Sequence, residues 1–318
     1  MHELAIIHGT SNIPLAQKIC KHLNTNPIEV LTSHFNNGEC RVEINGNIRN
    51  KDVFVIQSTS NNVNDHLMEL FLLLDAIKRS SCYRVTAVMP CFPYSRQDRK
   101  VRSRVPISAR LVADLLQTAG ISRLITAELH SPQAAGFFDV PVDNLYSANI
   151  LLEHIKKNLP DNGICVVAPD AGSVKVVKKY AGRLQCDMAM IYKNRSAPGE
   201  IKEMSLIGDV SNKHCFIVDD MVDGGGTLST AANLLLYKGA KDVIAYCTHP
   251  VLSGKGVDVI QKSNLKNLFV TNTIDNKNIS WYDKNISKIE VLDASALFAE
   301  AIKCVHEEKS VSHLFNEI

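Results

Sequence analysis

The sequence predicts an α/β protein with two domains, each built on a mostly parallel β-sheet flanked by helices. Its 318 residues are enough for two medium domains, each with its own core. Short apolar runs rich in β-branched residues alternate with amphipathic stretches, which is the pattern of successive strand–helix–strand units. Because this alternation starts again after Pro141, we place the two domains at residues 1–145 and 146–318.

In the first half, two apolar strands alternate with two helices. Leu67 and Leu70 share one helical face after Asn64, a capping residue. Pro106 and Gly120 bracket the next helix at positions typical of a start and a stop. The predicted strands are 53–56 and 85–89, and the predicted helices are 67–77 and 107–119.

In the second half, Ser147 is placed to cap one helix and Gly239 to end another. The stretches 94–104 and 193–203 are polar and fit neither period, so we predict two irregular, mobile functional loops there. The predicted strands are 164–168, 188–192, 215–218, 243–248 and 268–271, and the predicted helices are 147–158, 172–184, 227–238 and 294–307.

Composition excludes several classes of protein. The 35 Lys and Arg residues against 33 Asp and Glu leave a net charge of +2, which predicts no general attraction to nucleic acid or to an anionic membrane. No apolar run reaches the length of a membrane span, and the first eight residues lack the basic segment of a signal peptide. The nine cysteines include no C-x-x-C pair, which argues against a disulfide framework and a structural zinc site. We therefore expect a cytoplasmic protein with reduced thiols.

The strongest local signal is residues 216–227, an apolar strand that ends in acids, then glycines, then a helix. Glycines let backbone N–H groups approach an anion, and a helix N-terminus adds partial positive charge, so this segment predicts a phosphate cradle. Asp219 and Asp220 suit the neighbouring sugar hydroxyls or a Mg²⁺ ion. The pattern therefore points to a phosphorylated sugar, whereas the plain alternative is a glycine-rich turn with solvated acids. Neither a P-loop nor a dinucleotide-binding G-x-G-x-x-G fingerprint is present.

This loop resembles the phosphoribosyl pyrophosphate loop of type I phosphoribosyltransferases and their relatives. Further segments resemble, in order along essentially the whole chain, the signature stretches of the ribose-phosphate pyrophosphokinase family. These segments are 35–39, 91–99, 128–133, 136–143, 169–172, 271–274 and 310–315.

The resemblance implies two tandem type I phosphoribosyltransferase-like domains, with ATP-side residues in 1–145 and the ribose 5-phosphate and catalytic loops in 146–318. It implies transfer of the β,γ-diphosphoryl group of ATP to the anomeric hydroxyl of ribose 5-phosphate, with Mg²⁺ as cofactor. It also implies the phosphate-activated class, with inorganic phosphate as activator, and a homohexamer with active and regulatory sites between subunits.

The resemblance also implies a role for each matching residue. Lys193 and Arg195 would be catalytic, on a closing loop that stabilises charge on the transferred group. His130 and Asp170 would hold the metal ion. The ATP site would comprise Phe35, Asn37, Gly38, Glu39, Arg96, Gln97, Asp98, Arg99 and His130; the ribose 5-phosphate site Arg195, Asp219, Asp220, Asp223, Gly224, Gly225, Gly226 and Thr227; and the allosteric phosphate site Asn47, Arg49, Ser81, Arg104, Ser310, Val311 and Ser312.

Four positions depart from the family pattern. Gly224 stands where the family usually has Thr, which removes one hydroxyl from the sugar-phosphate loop. Glu128 and Ser131 replace the usual Asp and Ala beside His130, and Asn47 replaces a common Ser. The ligand set around His130 is therefore open among Glu128, Asp139 and Asp143.

Two other functions remain open from the sequence. A phosphoribosyltransferase shares the loop of residues 219–227, but it needs no ATP site and about half the chain length. A non-catalytic regulatory partner of an active relative would keep the fold, but loss of catalytic residues would be its mark. The synthesising enzyme would form AMP from ATP, whereas a regulatory partner would show no turnover.

Overall fold

The computed structural model describes residues 2–59, 62–158, 163–197, 200–275 and 286–315, without the side chains of 193–203. The strands, in chain order, are β1 Leu4–His8, β2 Val30–His34, β3 Cys40–Ile44, β4 Asp52–Ile56, β5 Arg84–Met89, β6 Arg123–Ala127, β7 Val142–Leu145, β8 Ile164–Ala168, β9 Asp187–Ala197, β10 Glu200–Ile207, β11 His214–Val222, β12 Asp242–Pro250, β13 Asn267–Thr271 and β14 Ile289–Leu292. The helices are α1 Ile13–His22, α2 Val63–Arg79, α3 Ser108–Ala119, α4 Ala148–Lys157, α5 Val174–Leu184, α6 Gly226–Tyr237, α7 Gly256–Lys262 and α8 Ser295–His306. Two 3-10 helices span Pro132–Phe137 and Ser312–Leu314.

The chain forms two compact units. The first comprises Met1–Ser147, Asn272–Asp275 and Ala294–Asn316, and the second comprises most of the remainder, chiefly Ala148–Thr271. No helix among the described residues is both long and apolar enough to span a membrane.

The first unit is built on a five-stranded parallel sheet in the order β1-β4-β5-β6-β7, with the β2–β3 hairpin beside it. All five residues of β4 are buried, as expected for a central strand covered on both faces. On α2, Leu70, Leu74 and Ile77 recur at helical spacing and are fully buried in this core. The predicted strands and helices of this half are confirmed.

The second unit is built on a seven-stranded sheet in the order β10-β9-β8-β11-β12-β13-β14. All neighbouring strands run parallel except β9 and β10, which pair antiparallel at one edge. Cys215, Ile217 and Val243 are fully buried in the core of this sheet. The predicted fold class, two mostly parallel sheets flanked by helices, is therefore confirmed.

The stretch 193–203, predicted as an irregular loop, has strand backbone in its described part. There β9 continues to Ala197 and β10 begins at Glu200, with irregular register between Glu200 and Glu203. Edge strands need no apolar alternation, because they bury few side chains and are held by backbone hydrogen bonds. The other polar stretch, 94–104, contains no helix or strand.

The C-terminal helix α8 belongs to the first unit, which differs from the predicted division at 145 and 146. Asp52 of β4 is 2% exposed, and it accepts hydrogen bonds from Nε and Nη2 of Arg84 at 2.7 and 2.8 Å. His306, at the end of α8, places Nδ1 2.9 Å from the same carboxylate. A buried carboxylate needs such partners, so this ion-pair cluster stabilises α8 on the first sheet.

Candidate active site

The carboxyl ends of three neighbouring strands of the second unit define the candidate site. In the parallel register, Ala168 of β8 lies opposite Met190 of β9, and Val167 lies opposite Ile217 of β11. Asp170 follows β8, and Asp219 lies two residues beyond Ile217, so both acids stand at one edge of the sheet. This edge is where ligands bind in open α/β sheets.

The backbone of β9 continues along the same edge. Residues 193 and 195 lie three and five positions beyond Met190, and the register therefore places their backbone past the end of β8. The side chains of Lys193 and Arg195 lie outside the described part of the chain.

Three carboxyl groups crowd together at this edge. Burial is the main cause, and together with the neighbouring charges of Asp220 and Asp170 it raises the pKa of Asp219 to about 8. The backbone N–H of Asp220 donates to Oδ1 of Asp219 at 3.0 Å. Such a cluster favours a proton, a cation or hydroxyl donors beside it.

A local turn orients the carboxyl group of Asp170. Its Oδ1 accepts from the backbone N–H of Gly172 at 2.9 Å and from the N–H and hydroxyl of Ser173 at 3.2 and 2.9 Å. All three bonds use one oxygen, so the carboxyl group is held in one orientation at the end of β8.

The glycine-rich loop opens α6 and packs closely on α7. Gly225 caps α6 with φ of +74°, a left-handed conformation that favours glycine. A Cβ at Gly225 would lie 3.1 Å from Cγ1 of Ile260 and 3.2 Å from the carbonyl oxygen of Gly256. The loop therefore presents the N-terminus of α6, a favourable position for an anion.

Sequence reasoning missed Ser253, which contacts the acidic loop. Its hydroxyl donates a short hydrogen bond to Oδ1 of Asp223. The backbone N–H of Leu252 donates to the carbonyl of Val222 at 3.0 Å, which brings the two loops together. Ser253 follows β12, the strand parallel to β11, so only the strand order could have indicated this contact.

In the first unit, the predicted adenine-side residues occupy the tip of the β2–β3 hairpin. The N–H of Phe35 donates to the carbonyl of Glu39, and the N–H of Gly38 donates to the carbonyl of Phe35, both at 2.8 Å. The N–H of Glu39 donates to Oδ1 of Asn37 at 3.2 Å. Phe35 is 53% exposed, so its ring is accessible to a planar partner.

The second predicted ATP segment is a turn between β5 and α3. The N–H of Gln97 donates to the carbonyl of Tyr94 at 2.8 Å, and its Oε1 accepts from the hydroxyl of Ser108 at 2.6 Å. These bonds tie the turn to the start of α3. Arg96 and Arg99 are exposed at its surface, and Asp98 is half-buried.

His130 lies exposed just beyond β6, and two of its possible co-ligands have other partners. Oε1 of Glu128 accepts from the N–H and hydroxyl of Ser147 at 3.2 and 3.4 Å. Asp143 forms an ion pair with Arg123 at 2.6 Å, at the amino end of β6, and so at the end of the sheet away from His130. The geometry therefore disfavours Asp143 as a ligand beside His130. His130 belongs to the first unit and Asp170 to the second.

The predicted phosphate-regulatory residues lie in four segments of the first unit. Oδ1 of Asn47 accepts from the N–H of Arg49 at 3.1 Å. The N–H of the next residue, Asn50, donates to the carbonyl of Ser81 at 2.9 Å. The hydroxyl of Ser310 donates to Oγ of Ser312 at 2.9 Å in the turn after α8, which also contains Val311. Arg104 lies in the segment before α3 with φ of +61°.

Comparisons with known proteins agree with this architecture. A family model described as the N-terminal domain of ribose phosphate pyrophosphokinase matches residues 4–120. A second, described as the phosphoribosyl synthetase-associated domain, matches residues 195–316.

Similar proteins match along nearly their whole length. The ribose-phosphate pyrophosphokinase of Bacillus caldolyticus is 47% identical over 316 residues, covering 99% of this chain and 98% of that protein. That of Aquifex aeolicus is 45% identical over 315 residues, covering 99% and 100%. The crystal structure of phosphoribosylpyrophosphate synthetase from Mycobacterium smegmatis is similar with a TM-score of 0.90 and 39% identity, covering 96% of this chain and 99% of that one. This chain therefore belongs to the ribose-phosphate pyrophosphokinase family.

Proposed function

We propose that this enzyme transfers the diphosphoryl group of ATP to the anomeric hydroxyl of ribose 5-phosphate. The products are 5-phosphoribosyl 1-pyrophosphate and AMP, which would supply nucleotide biosynthesis. The observation that carries the proposal is the crowding of Asp170, Asp219 and Asp220 at a sheet edge beside the glycine loop that opens α6. Family membership supports the same reaction.

Ribose 5-phosphate would bind along this loop. Its phosphate would accept hydrogen bonds from backbone N–H groups of residues 224–227 at the N-terminus of α6. The carboxylates of Asp219 and Asp220 would accept from the ribose hydroxyls, and Asp223, held by Ser253, would support the loop.

The donor set fits a Mg²⁺ ion. Mg²⁺ prefers oxygen ligands, and a divalent cation would relieve both the burial of the Asp219 carboxyl and its repulsion by Asp220 and Asp170, which together raise its pKa. Asp170 would hold the ion, and His130 would act on the ATP phosphates. When bound, Mg²⁺ would neutralise charge on the phosphate oxygens.

ATP would bind through the two exposed segments of the first unit. The Phe35 ring would stack on adenine. Beside Gly38, the Glu39 carboxylate would accept a hydrogen bond from the adenine amine, and the Asn37 amide would donate to a ring nitrogen. The triphosphate would be bound by a second set, comprising Arg96, Gln97, Asp98, Arg99 and His130.

The transfer itself requires alignment more than covalent catalysis. The anomeric oxygen forms a bond to the β-phosphorus as the bond between that phosphorus and the α,β-bridging oxygen breaks. AMP leaves with the bridging oxygen, and the hydroxyl proton passes to solvent. Lys193 and Arg195 would stabilise the developing charge, with Arg195 also contacting the sugar phosphate.

We further propose regulation and assembly as the resemblance implies. Inorganic phosphate would activate a cytoplasmic homohexamer by binding at the turns of Asn47 to Arg49 and Ser310 to Ser312, together with Ser81 and Arg104. In this turn the Ser312 N–H donates to Oγ of Ser310, so an anion would displace these internal hydrogen bonds and accept from the same hydroxyl and N–H groups.

Phosphorus NMR of the purified protein with ribose 5-phosphate, ATP and Mg²⁺ tests the reaction. We expect AMP together with a diphosphate attached to the anomeric carbon, formed faster when inorganic phosphate is present. Stoichiometric ADP would refute diphosphoryl transfer. No turnover from folded protein would favour the regulatory-partner alternative, and consumption of 5-phosphoribosyl 1-pyrophosphate with a base would favour a phosphoribosyltransferase.

A further inference from the structure

Three side chains that the proposed reaction does not use meet at the end of the first unit. Glu300 and Cys304 are four residues apart on α8, so they lie on one face of that helix. The third, His313, lies in the 3-10 helix Ser312–Leu314. Sγ of Cys304 is 3.6 Å from Oε1 of Glu300, and Nε2 of His313 is 3.8 Å from the same oxygen. All three atoms lie within 4.8 Å of one another.

The backbone after α8 explains how His313 reaches the helix again. Glu308 has φ of +56°, and the N–H of Lys309 donates to the carbonyl of Cys304 at 2.8 Å, which ends α8 in a tight reversal. The N–H of Leu314 then donates to the carbonyl of Val311 at 2.9 Å, closing the following turn. These backbone hydrogen bonds return the chain to α8 and so place residue 313 beside the helix.

Two of the three ligand-atom distances are close to the edges of a tetrahedral zinc site. Zn²⁺ binds thiolate at about 2.3 Å and imidazole or carboxylate at about 2.0 to 2.2 Å, so its sulfur–oxygen edge is about 3.6 Å and its oxygen–nitrogen edge about 3.4 Å. The corresponding distances here are 3.6 Å from Cys304 to Glu300 and 3.8 Å from His313 to Glu300. The ligand atoms of Cys304 and His313 lie within 4.8 Å of each other, so the three groups would draw together around an ion.

We propose that Glu300, Cys304 and His313 bind one Zn²⁺ ion, with water at the fourth position. Thiolate and imidazole ligands select zinc over the hard Mg²⁺ ion of the reaction, so the two metals would not compete for this site. Binding releases the Cys304 thiol proton to solvent, and Zn–S, Zn–N and Zn–O bonds form without any change of oxidation state.

The surroundings allow entry of an ion while shielding the sulfur. Cys304 is 4% exposed, whereas the side chains of Glu300 and His313 are 45% and 57% exposed, so the ion would enter from the solvent side. Because Ser310 and Ser312 lie in the chain between two of the ligands, the bound ion would also hold their turn against α8.

The test uses the full-length protein, freed of metal with a chelator and titrated with Co²⁺ as a spectroscopic substitute for Zn²⁺. We expect one equivalent to produce a thiolate-to-cobalt charge-transfer absorption that added Zn²⁺ abolishes and added Mg²⁺ leaves unchanged. Cys304→Ser should abolish this absorption, and His313→Gln should weaken Zn²⁺ binding by more than about 100-fold, since even outer-shell changes cost 10- to 100-fold.

Two further variants keep the test decisive. Glu300→Gln should weaken Zn²⁺ binding but retain the thiolate absorption, whereas Cys186→Ser, a half-buried thiol in the second unit, should change neither. Circular dichroism checks that each variant is folded without metal. Absence of the absorption in the unmodified protein, or its persistence in folded Cys304→Ser protein, would overturn the proposal.

Discussion

Replacing Gly224 with threonine tests the assignment of the sugar-phosphate loop directly. A Cβ built at Gly224 meets no atom within 4 Å, and the residue is exposed. Its φ lies outside the left-handed region that Gly225 occupies, so a β-branched side chain fits this backbone without strain. The substitution should therefore add a hydroxyl beside the bound phosphate at little structural cost.

The size of the effect follows from one added hydrogen bond. A hydroxyl donating to a phosphate oxygen contributes about 1 to 1.5 kcal/mol, because net hydrogen bonds contribute about 1 kcal/mol and bonds to charged groups somewhat more. Since 1.4 kcal/mol corresponds to a factor of ten, the KM for ribose 5-phosphate should fall about 5- to 10-fold in Gly224→Thr.

Initial-rate kinetics measure this effect with ATP held saturating and ribose 5-phosphate varied. Gly224→Val is the matched control, because valine has the shape of threonine without the hydroxyl. We expect Gly224→Val to show no gain, and the KM for ATP to stay unchanged in both variants. An unchanged or raised ribose 5-phosphate KM in folded Gly224→Thr protein would refute the placement of the phosphate at this loop.

The neighbouring glycine should respond in the opposite direction. At Gly225, alanine would occupy a left-handed conformation that costs about 1 to 2 kcal/mol, and its Cβ would lie 3.1 Å from Ile260. Gly225→Ala should therefore displace the start of α6 and raise the KM for ribose 5-phosphate about 5- to 30-fold. An equal KM for ribose 5-phosphate in Gly225→Ala and Gly224→Thr protein would contradict this geometry of the loop.

Three more predictions concern catalysis and stability. Lys193→Ala should lower kcat at least about 100-fold with little change in circular dichroism, because a cation that stabilises transition-state charge is lost, and an unaltered rate would refute its catalytic role. Asp52→Ala should lower the free energy of unfolding by about 3 to 5 kcal/mol in urea titrations, since it leaves Arg84 and His306 without their buried carboxylate. Burial lowers the pKa of His154 below its ordinary 6.5, so the unfolded chain binds more protons and stability should fall as the pH drops below 6.5. In His154→Gln protein, the free energy of unfolding should depend less on pH below 6.5. An unchanged slope of that free energy against pH would contradict the role assigned to His154.

Much of the fold could be predicted because strands and helices are encoded locally. The apolar run at 53–56 and the helical stripe that includes Leu70 and Leu74 match buried elements of the first core. The strand, acid and glycine order at 216–227 likewise predicted a strand, a glycine loop and α6, although β11 continues through the acids to Val222, four residues past the predicted end at 218. Hydrophobic period and turn chemistry act over a few residues, so they can be read from neighbouring positions alone.

Local patterns failed where pairing or charge came from distant parts of the chain. The polar stretch 193–203 looked irregular, because backbone pairing between β9 and β10 leaves no apolar period to read. The contact of Ser253 with Asp223 depends on the order of β11 and β12 in the sheet. The family resemblance nevertheless indicated the acids at this site, since their identities are retained in the sequence.

The sequence by itself determined the fold class, the glycine loop and the family, because these rest on local periodicity and on motifs in order along the chain. Tertiary structure decided where α8 packs, which groups raise the pKa of Asp219 and which side chains lie beside Cys304. The physical reason is that burial, electrostatic coupling and ligand geometry depend on distances between residues far apart in the chain. Those distances exist only once the sheets have formed and the chain has turned back on them.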